Sequence, residues 1–371
     1  MKILMINLPY AGHTNPTLPL TEMLVQRGHD VTYINAETFR NRIEATGARF
    51  VPYLDFPAAL GEQQVKHRCF PAAWRTAMAL TEPFDLLIYE MFFYPGLDIA
   101  RLKGIPCVRQ FSQPAWSTQT FRQASPLFHV SARLIQAQML SRHNLRQMDI
   151  RPRSMTDAII NDKPDLNLVY VSEAFQPCRE DFGEDYLFAV PPQRPRASDV
   201  TIPYDQMRRP IVYISLGSLI SNRGFCKECI RAFGGRDMSV ILNTGKVDPA
   251  ALGRIPENIH AYSFVPQLEV LSHADVFLTH CGMNSVNEAL AAGVPMVAMP
   301  FVNDQTTNAR RIVELGLGKR VRSFPSRGSE LYRAVCEVCA DTEMKRRVQA
   351  FATALQTDNV WESLLARIES L

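Results

Sequence analysis

The run HCGMNSVNE, His280 to Glu288, gathers an imidazole, an amide, a hydroxyl and a carboxylate within one short segment. The apolar stretch before it, Ala274 to Thr279, reads as a strand. Cys281 and Gly282 make a turn, and a helix opens near Met283. A strand that runs through a glycine turn into a helix start offers free backbone amides and the positive end of the helix dipole to an anion. On a wheel of about 100° per residue, Asn284, Ser285 and Glu288 share an arc of about 100°. Met283, Val286, Ala289 and Leu290 take the opposite side, where a sheet would lie. Phosphate-type donors thus begin the helix, and a carboxylate follows about one turn, or 5 to 6 Å, later on the same face. That separation suits a pyrophosphate and a ribose, whose hydroxyls a carboxylate commonly accepts in nucleotide sites. The same spacing also allows Asn284 and Ser285 to be caps and Glu288 to be solvated. A second candidate is His13, just past the first apolar run. Ligands of open parallel sheets bind beyond the carboxyl ends of strands, and an imidazole with an ordinary pKa near 6.5 can act there as a general base. Its plain alternative is a surface histidine.

Both candidates need strand ends and helix starts to hold them, and the chain supplies these in alternation. Short β-branched runs alternate with amphipathic stretches, the pattern of βα units and a parallel sheet. Strands are predicted at Lys2 to Asn7, Asp30 to Asn35, Asp85 to Glu90 and Ile105 to Gln110. A helix over Pro16 to Arg27 is closed by Gly28, and one long helical stretch covers about Thr120 to Leu145. Between Val190 and Pro210 proline and arginine accumulate and apolar periodicity disappears, so a linker is placed at 196–209. The rhythm then restarts with strands at Ile211 to Leu216, Ser239 to Asn243, His260 to Phe264, Ala274 to Thr279 and Pro295 to Met299. The expected units are 1–195 and 210–355, with a last amphipathic helix over 356–371 that packs back on the first.

Three separated blocks resemble the donor signature of inverting, nucleotide-sugar-dependent glycosyltransferases of the GT-B fold, the family of bacterial macrolide and plant natural-product enzymes. HCGMNSVNE is similar to their HCGWNS…E core, Phe264-Val265-Pro266-Gln267 to their W-x-P-Q, and Asp304-Gln305 to their closing D-Q. GHTNPTLPL, Gly12 to Leu20, followed by RGHDVTY, resembles bacterial members at the N-terminus. The resemblance implies an α/β fold of two Rossmann-like domains facing across a cleft. It implies that Phe264 stacks on the base, Gln267 meets its edge, and His280, Gly282, Asn284 and Ser285 take the diphosphate. Ser218, in the SLGS turn, also approaches the phosphates. Glu288 would hold the ribose, and Asp304 and Gln305 the sugar hydroxyls. Phe stands at 264 and Met at 283 where the family has Trp.

By the same resemblance His13 deprotonates the acceptor hydroxyl, oriented by an aspartate at the end of a later strand. Here that strand ends in Glu90, one methylene longer, in a geometry sensitive to about 1 Å. Asp85 starts the strand and belongs at the opposite edge. Phe92 and Trp116 are candidate acceptor contacts. UDP-glucose is the expected donor, a dTDP-deoxysugar the alternative, and a hydrophobic natural product with a free hydroxyl the expected acceptor. The glutamate substitution keeps open a non-catalytic nucleotide-sugar-binding auxiliary protein, and the fold keeps open a nucleotide-sugar epimerase. No metal or cofactor is expected, because helix amides and His280 can stabilise leaving phosphates.

Composition narrows the remaining classes. The 371 residues are 46% hydrophobic and 21% charged with a net charge of +3, which excludes a disordered or collagenous chain and gives no drive toward nucleic acid. No run approaches the length of a membrane span, the N-terminus lacks a signal-peptide pattern, and eight cysteines suit reduced thiols, so a cytoplasmic protein is expected. Cys226/Cys229 and Cys336/Cys339 are C-x-x-C pairs, but each falls in a predicted helix and reads as packed thiols rather than zinc ligands.

Overall fold

A computed structural model describes residues 1–150, 153–194, 198–217, 222–302, 304–323, 327–357 and 359–371. The chain parts into two compact units, Met1–Pro192 with Asn359–Leu371, and Gln193–Asp358.

Among the described residues the first unit holds seven parallel strands: β1 Lys2–Ile6, β2 Asp30–Asn35, β3 Arg49–Pro52, β4 Leu86–Glu90, β5 Cys107–Phe111, β6 Leu166–Val169 and β7 Tyr186–Phe188. Their order is β3-β2-β1-β4-β5-β6-β7. Runs such as LLIYE in β4, apolar up to the closing Glu90, are buried along their whole length, as helices on both faces of a parallel sheet require. Strand order reverses between β1 and β4, where the register pairs Ile6 with Tyr89 and so brings the end of β1 beside Glu90. The crevice beyond such a reversal is the usual ligand site of an open α/β sheet. Asp85, at the start of the strand, accepts the backbone N–H of Lys2 at 2.6 Å and lies at the other edge.

The core of this unit joins Ile3, Met5, Val31, Ile88 and Leu168 to Leu364, Leu365 and Ile368 of the helix Val360–Glu369. Burying each of these last three side chains contributes about 1.5–3 kcal/mol. Polar contacts fix the same helix: Arg27 grips Glu369 through two nitrogens at 2.7 and 2.9 Å, and Trp361 donates to the carbonyl of Val190 at 3.0 Å.

Among the described residues the second unit holds six parallel strands: β8 Ile211–Ser215, β9 Ser239–Asn243, β10 Ile259–Tyr262, β11 Val276–Thr279, β12 Met296–Ala298 and β13 Gly318–Arg320. The order β10-β9-β8-β11-β12-β13 again reverses, between β8 and β11. The pairing of Thr279 with Ser215 sets the turn after β11 next to the turn after β8.

Two readings of the sequence are corrected. The stretch 120–145 is not one helix but three: Thr118–Gln123, Pro126–Met139 and Arg142–Met148. Pro126 lacks the N–H that would continue the first, and Ser125 and Ser141 cap the next two by accepting from Phe128 and Asn144. The helix expected over Pro16 to Arg27 is Leu18–Gln26, preceded by a helical turn at Ala11–Thr14 and a 3₁₀ turn at Asn15–Thr17, so His13 stands on a helical turn. Strands β3, β6, β7 and β13 went unread. They are three or four residues long, and β13 has the polar sequence GKR of an edge. The assigned linker 196–209 begins in residues outside the described set. From 198 onward it belongs to the second unit, where Arg209 pairs with Asp275 at 2.6 Å and Tyr204 stacks on His273.

Candidate active site

In the first unit the reversal point carries a histidine–carboxylate pair. His13 Nδ1 lies 2.9 Å from Glu90 Oε1. Glu90 is wholly buried at the end of β4, and its other oxygen accepts the backbone N–H of Phe92 at 2.9 Å. The extra methylene of glutamate is therefore accommodated, and the carboxylate reaches the ring. Ser112, just past β5, places its hydroxyl 3.0 Å from the same Nδ1. Sequence reasoning missed this serine. The signal was present: β5 neighbours β4, with Glu90 opposite Gln110, so a polar residue just beyond β5 falls beside Glu90.

Aromatic rings surround the imidazole. Tyr10 and Phe92 meet it edge-on at centroid distances of 5.9 and 5.5 Å. Phe92 leads to Trp116 at 5.6 Å, and Trp116 to Phe121 and Phe128. A cavity of about 610 Å³ is lined by Trp116 with Thr118, Arg122, Lys163, Asp181 and Tyr186, and none of His13, Glu90 or Phe92 lines it. Of the two sequence-derived acceptor candidates, Phe92 touches the histidine and Trp116 borders this cavity.

In the second unit the helix after β11 is Met283–Ala291, with Gly282 as its N-cap. Glycine has no side chain to cap the first amides. Nor is Ser285 a cap: its hydroxyl accepts from Gln267 Nε2 at 3.1 Å. The same Gln267 nitrogen donates to Glu288 Oε2 at 2.6 Å, and Tyr213 on β8 donates to Gln267 Oε1 at 3.0 Å. Gln267, Ser285 and Glu288 are thus brought together, and Glu288 is buried rather than solvated. Phe264 is 43% exposed and offers a free aromatic face.

His280 is packed between backbones. A Cβ at Gly217, whose φ is +72°, would come within 2.5 Å of the ring, as would one at Gly282. Glycine at both places is therefore a condition of the ring's position. Burial pushes the imidazole pKa down to about 4, so the ring is neutral at neutral pH. Its Nδ1 is buried without a hydrogen-bond partner among the described residues, and such an atom is a candidate ligand contact.

Asp304 and Gln305 lie at the start of the helix Gln305–Glu314. Gln305 turns its side-chain oxygen back to the N–H groups of Phe301 and Val302 at 2.9 and 3.1 Å. Asn308, also unread in the sequence, is fully buried and donates to Asp304 Oδ2 and to the carbonyl of Cys281, both at 2.9 Å. It ties the segment of Asp304 to the turn after β11. Ser218 lies outside the described residues.

The cysteine pairs sit in the helices Arg223–Phe233 and Gly328–Ala340. All eight cysteines are free thiols, and among the described residues no group of three or more His, Cys, Asp or Glu is arranged to hold a metal. No helix among them is long and apolar enough to cross a membrane.

Comparison with known proteins agrees with this architecture. The family described as UDP-glucoronosyl and UDP-glucosyl transferase matches residues 192–364. The chain is 32% identical over 369 residues to the NDP-glycosyltransferase YjiC of Bacillus licheniformis, covering 94% of this chain and 91% of that one. It is 30% identical over 369 residues to the oleandomycin glycosyltransferase of Streptomyces antibioticus, covering 94% and 85%. The crystal structure of the glycotransferase of kitacinnamycin superimposes with a TM-score of 0.81 at 28% identity, covering 96% of this chain and 94% of that one.

Proposed function

The chain belongs to the UDP-glucoronosyl and UDP-glucosyl transferase family, a glycosyltransferase of the GT-B type, and from that premise we propose that it moves a hexose from a UDP-sugar to a hydroxyl of a hydrophobic natural product, with inversion and with His13 as the base. The observation that carries this reading is the 2.9 Å contact of His13 with the buried Glu90 at the reversal point of the first sheet. With its hydrogen on Nδ1 facing Glu90, the ring keeps a lone pair on Nε2 for the acceptor's proton. The freed oxygen attacks the anomeric carbon, the bond from that carbon to the β-phosphate oxygen breaks, and UDP leaves with the electron pair. His13 ends as the imidazolium and Glu90 balances its charge. A positioned base of this kind contributes about 10²–10⁴-fold.

On the donor side the helix start at Met283 and the ring of His280 take the diphosphate. Preorganised donors there stabilise the charge that grows on the leaving group. Phe264 stacks on the base, Glu288 receives the ribose hydroxyls, and Asp304 with the amide NH₂ of Gln305 receives those of the sugar. Glucose is the favoured sugar because the Asp304-Gln305 ending resembles that of glucose users. A dTDP-deoxysugar is the alternative. The ring of aromatic side chains at His13 favours an apolar or aromatic acceptor. The reach of Glu90 to His13 weighs against a non-catalytic auxiliary protein.

The test is mass spectrometry of reactions with UDP-glucose and a pooled phenol, macrolide and sterol library, followed by assignment of the product's anomeric configuration. A β-linked glucoside from the α-linked donor supports the proposal. A changed sugar nucleotide without added acceptor would point to epimerase activity, and no turnover with tight UDP binding to an auxiliary role.

A further inference from the structure

Among the described residues the Nδ1 atom of His13 faces two oxygens, Glu90 Oε1 at 2.9 Å and Ser112 Oγ at 3.0 Å, yet it carries one hydrogen at most. An ionised carboxylate only accepts, whereas a serine hydroxyl both donates and accepts. If the ring hydrogen sits on Nε2, Ser112 donates to Nδ1 and Glu90 faces a lone pair. If it sits on Nδ1, both oxygens accept from it and Nε2 is left basic. The second arrangement satisfies all three groups.

We infer that Ser112 is a positioning residue for the base, sharing with Glu90 the single N–H of His13 and so holding the ring in the tautomer that leaves Nε2 basic. This rests on the reading of His13 as the base. Three elements then fix one side chain: the helical turn after β1, the end of β4 through Glu90, and the residue after β5 through Ser112. Ser112 is 8% exposed, and the paired strands β4 and β5 set its place. The serine's role grows during turnover. An imidazolium N–H is a stronger donor than a neutral one, so the shared hydroxyl oxygen favours the charged ring more than the neutral ring.

The groups facing His13 allow that effect to be read out. Glu90 approaches from β4 and Tyr10 from its own turn. Behind them Tyr33, Tyr53 and Cys69 are buried, and burial raises the pKa of each, which keeps them neutral through the working range. Removing the hydroxyl destabilises the imidazolium, lowers the pKa of His13, and moves the acidic limb of the pH profile down.

The experiment compares Ser112→Thr with Ser112→Val, two side chains of nearly equal volume that differ by the hydroxyl, with Ser112→Ala as a third variant. For each, kcat and kcat/KM are measured with UDP-glucose and an accepted phenol or macrolide from pH 5 to 9. Ser112→Val and Ser112→Ala should lower kcat by about tenfold, as expected for losing a hydrogen bond to a charged group, and shift the acidic limb downward by about half a unit or more. Ser112→Thr should keep the limb at its wild-type pH. A limb that stays in place in Ser112→Val or Ser112→Ala overturns the inference, whatever happens to kcat, because loss of packing alone would not move it. Retained turnover in His13→Ala would instead overturn the base assignment on which the inference stands.

Discussion

Among the described residues the wholly buried carboxylate of Glu90 makes two hydrogen bonds, one to His13 and one to the N–H of Phe92, and each variant at this position tests one property of the carboxylate. Glu90→Gln keeps the length and removes the charge. Its kcat should fall by about 10²–10⁴, with UDP affinity unchanged by calorimetry, because an amide neither holds the productive tautomer nor balances the imidazolium. Glu90→Asp keeps the charge and shortens the reach by about 1 Å, for which a loss of about 10² is expected. A Glu90→Asp enzyme faster than wild type would show that the longer side chain is a handicap here. His280 yields a prediction about pH and stability. Its pKa is lowered by burial from 6.5 to about 4, so between these values the unfolded chain binds the extra proton and the folded chain does not. Stability on its account is unaffected above about pH 6.5, falls as pH drops from there to about 4, and is flat below. Urea midpoints of His280→Asn and wild type should therefore converge or cross in favour of the variant as pH is lowered from 7 to 4.5. Parallel curves would contradict the enclosed, neutral ring.

At the scale of elements, two helices matter most. The helix Met283–Ala291 begins on Gly282, and a methyl added there meets His280 at 2.5 Å. Gly282→Ala should displace that ring and weaken UDP binding by roughly tenfold or more, read by calorimetry, while turnover at saturating donor suffers less. The helix Val360–Glu369 is held by Arg27 and His29 through Glu369, whose carboxyl these partners lower to about 2. A lowered carboxylate stabilises above its ordinary pKa and loses that contribution as pH falls from about 4.5 toward 2. Glu369→Gln should raise hydrogen exchange across residues 360–369 at pH 7, with a smaller increase at pH 3, where part of the contribution is already lost. How far such elements are legible in the chain depends on how local their causes are. The strand, turn and helix around His280 are fixed by consecutive residues, and so was their reading. The breaks at Ser125-Pro126 and Ser141 were written in the sequence too, as cap residues and a proline, but helical apolar spacing ran through them. Ser112, Tyr213 and Asn308 act on groups 99, 54 and 27 residues away, and only strand register and helix packing bring them there. The placement of Glu90 and Asp85 at opposite edges could be read because it needs only the direction of one strand.

For the whole molecule, two parallel sheets each reverse their strand order once, and each reversal coincides with one half of the proposed chemistry: His13 with Glu90 in one, the helix start after β11 in the other. A ligand that binds only the folded chain stabilises it by about 2.7 kcal/mol at a concentration of 100 times its Kd, so UDP should raise the melting temperature in wild type and in His13→Ala alike. The most direct test is to measure, on His13→Ala and wild type side by side, the Kd of UDP by calorimetry and the rate of glucoside formation from UDP-glucose. The account predicts an unchanged Kd and a rate reduced by about 10² or more. A His13→Ala enzyme that still transfers sugar at close to the wild-type rate, or one that no longer binds UDP, would contradict it.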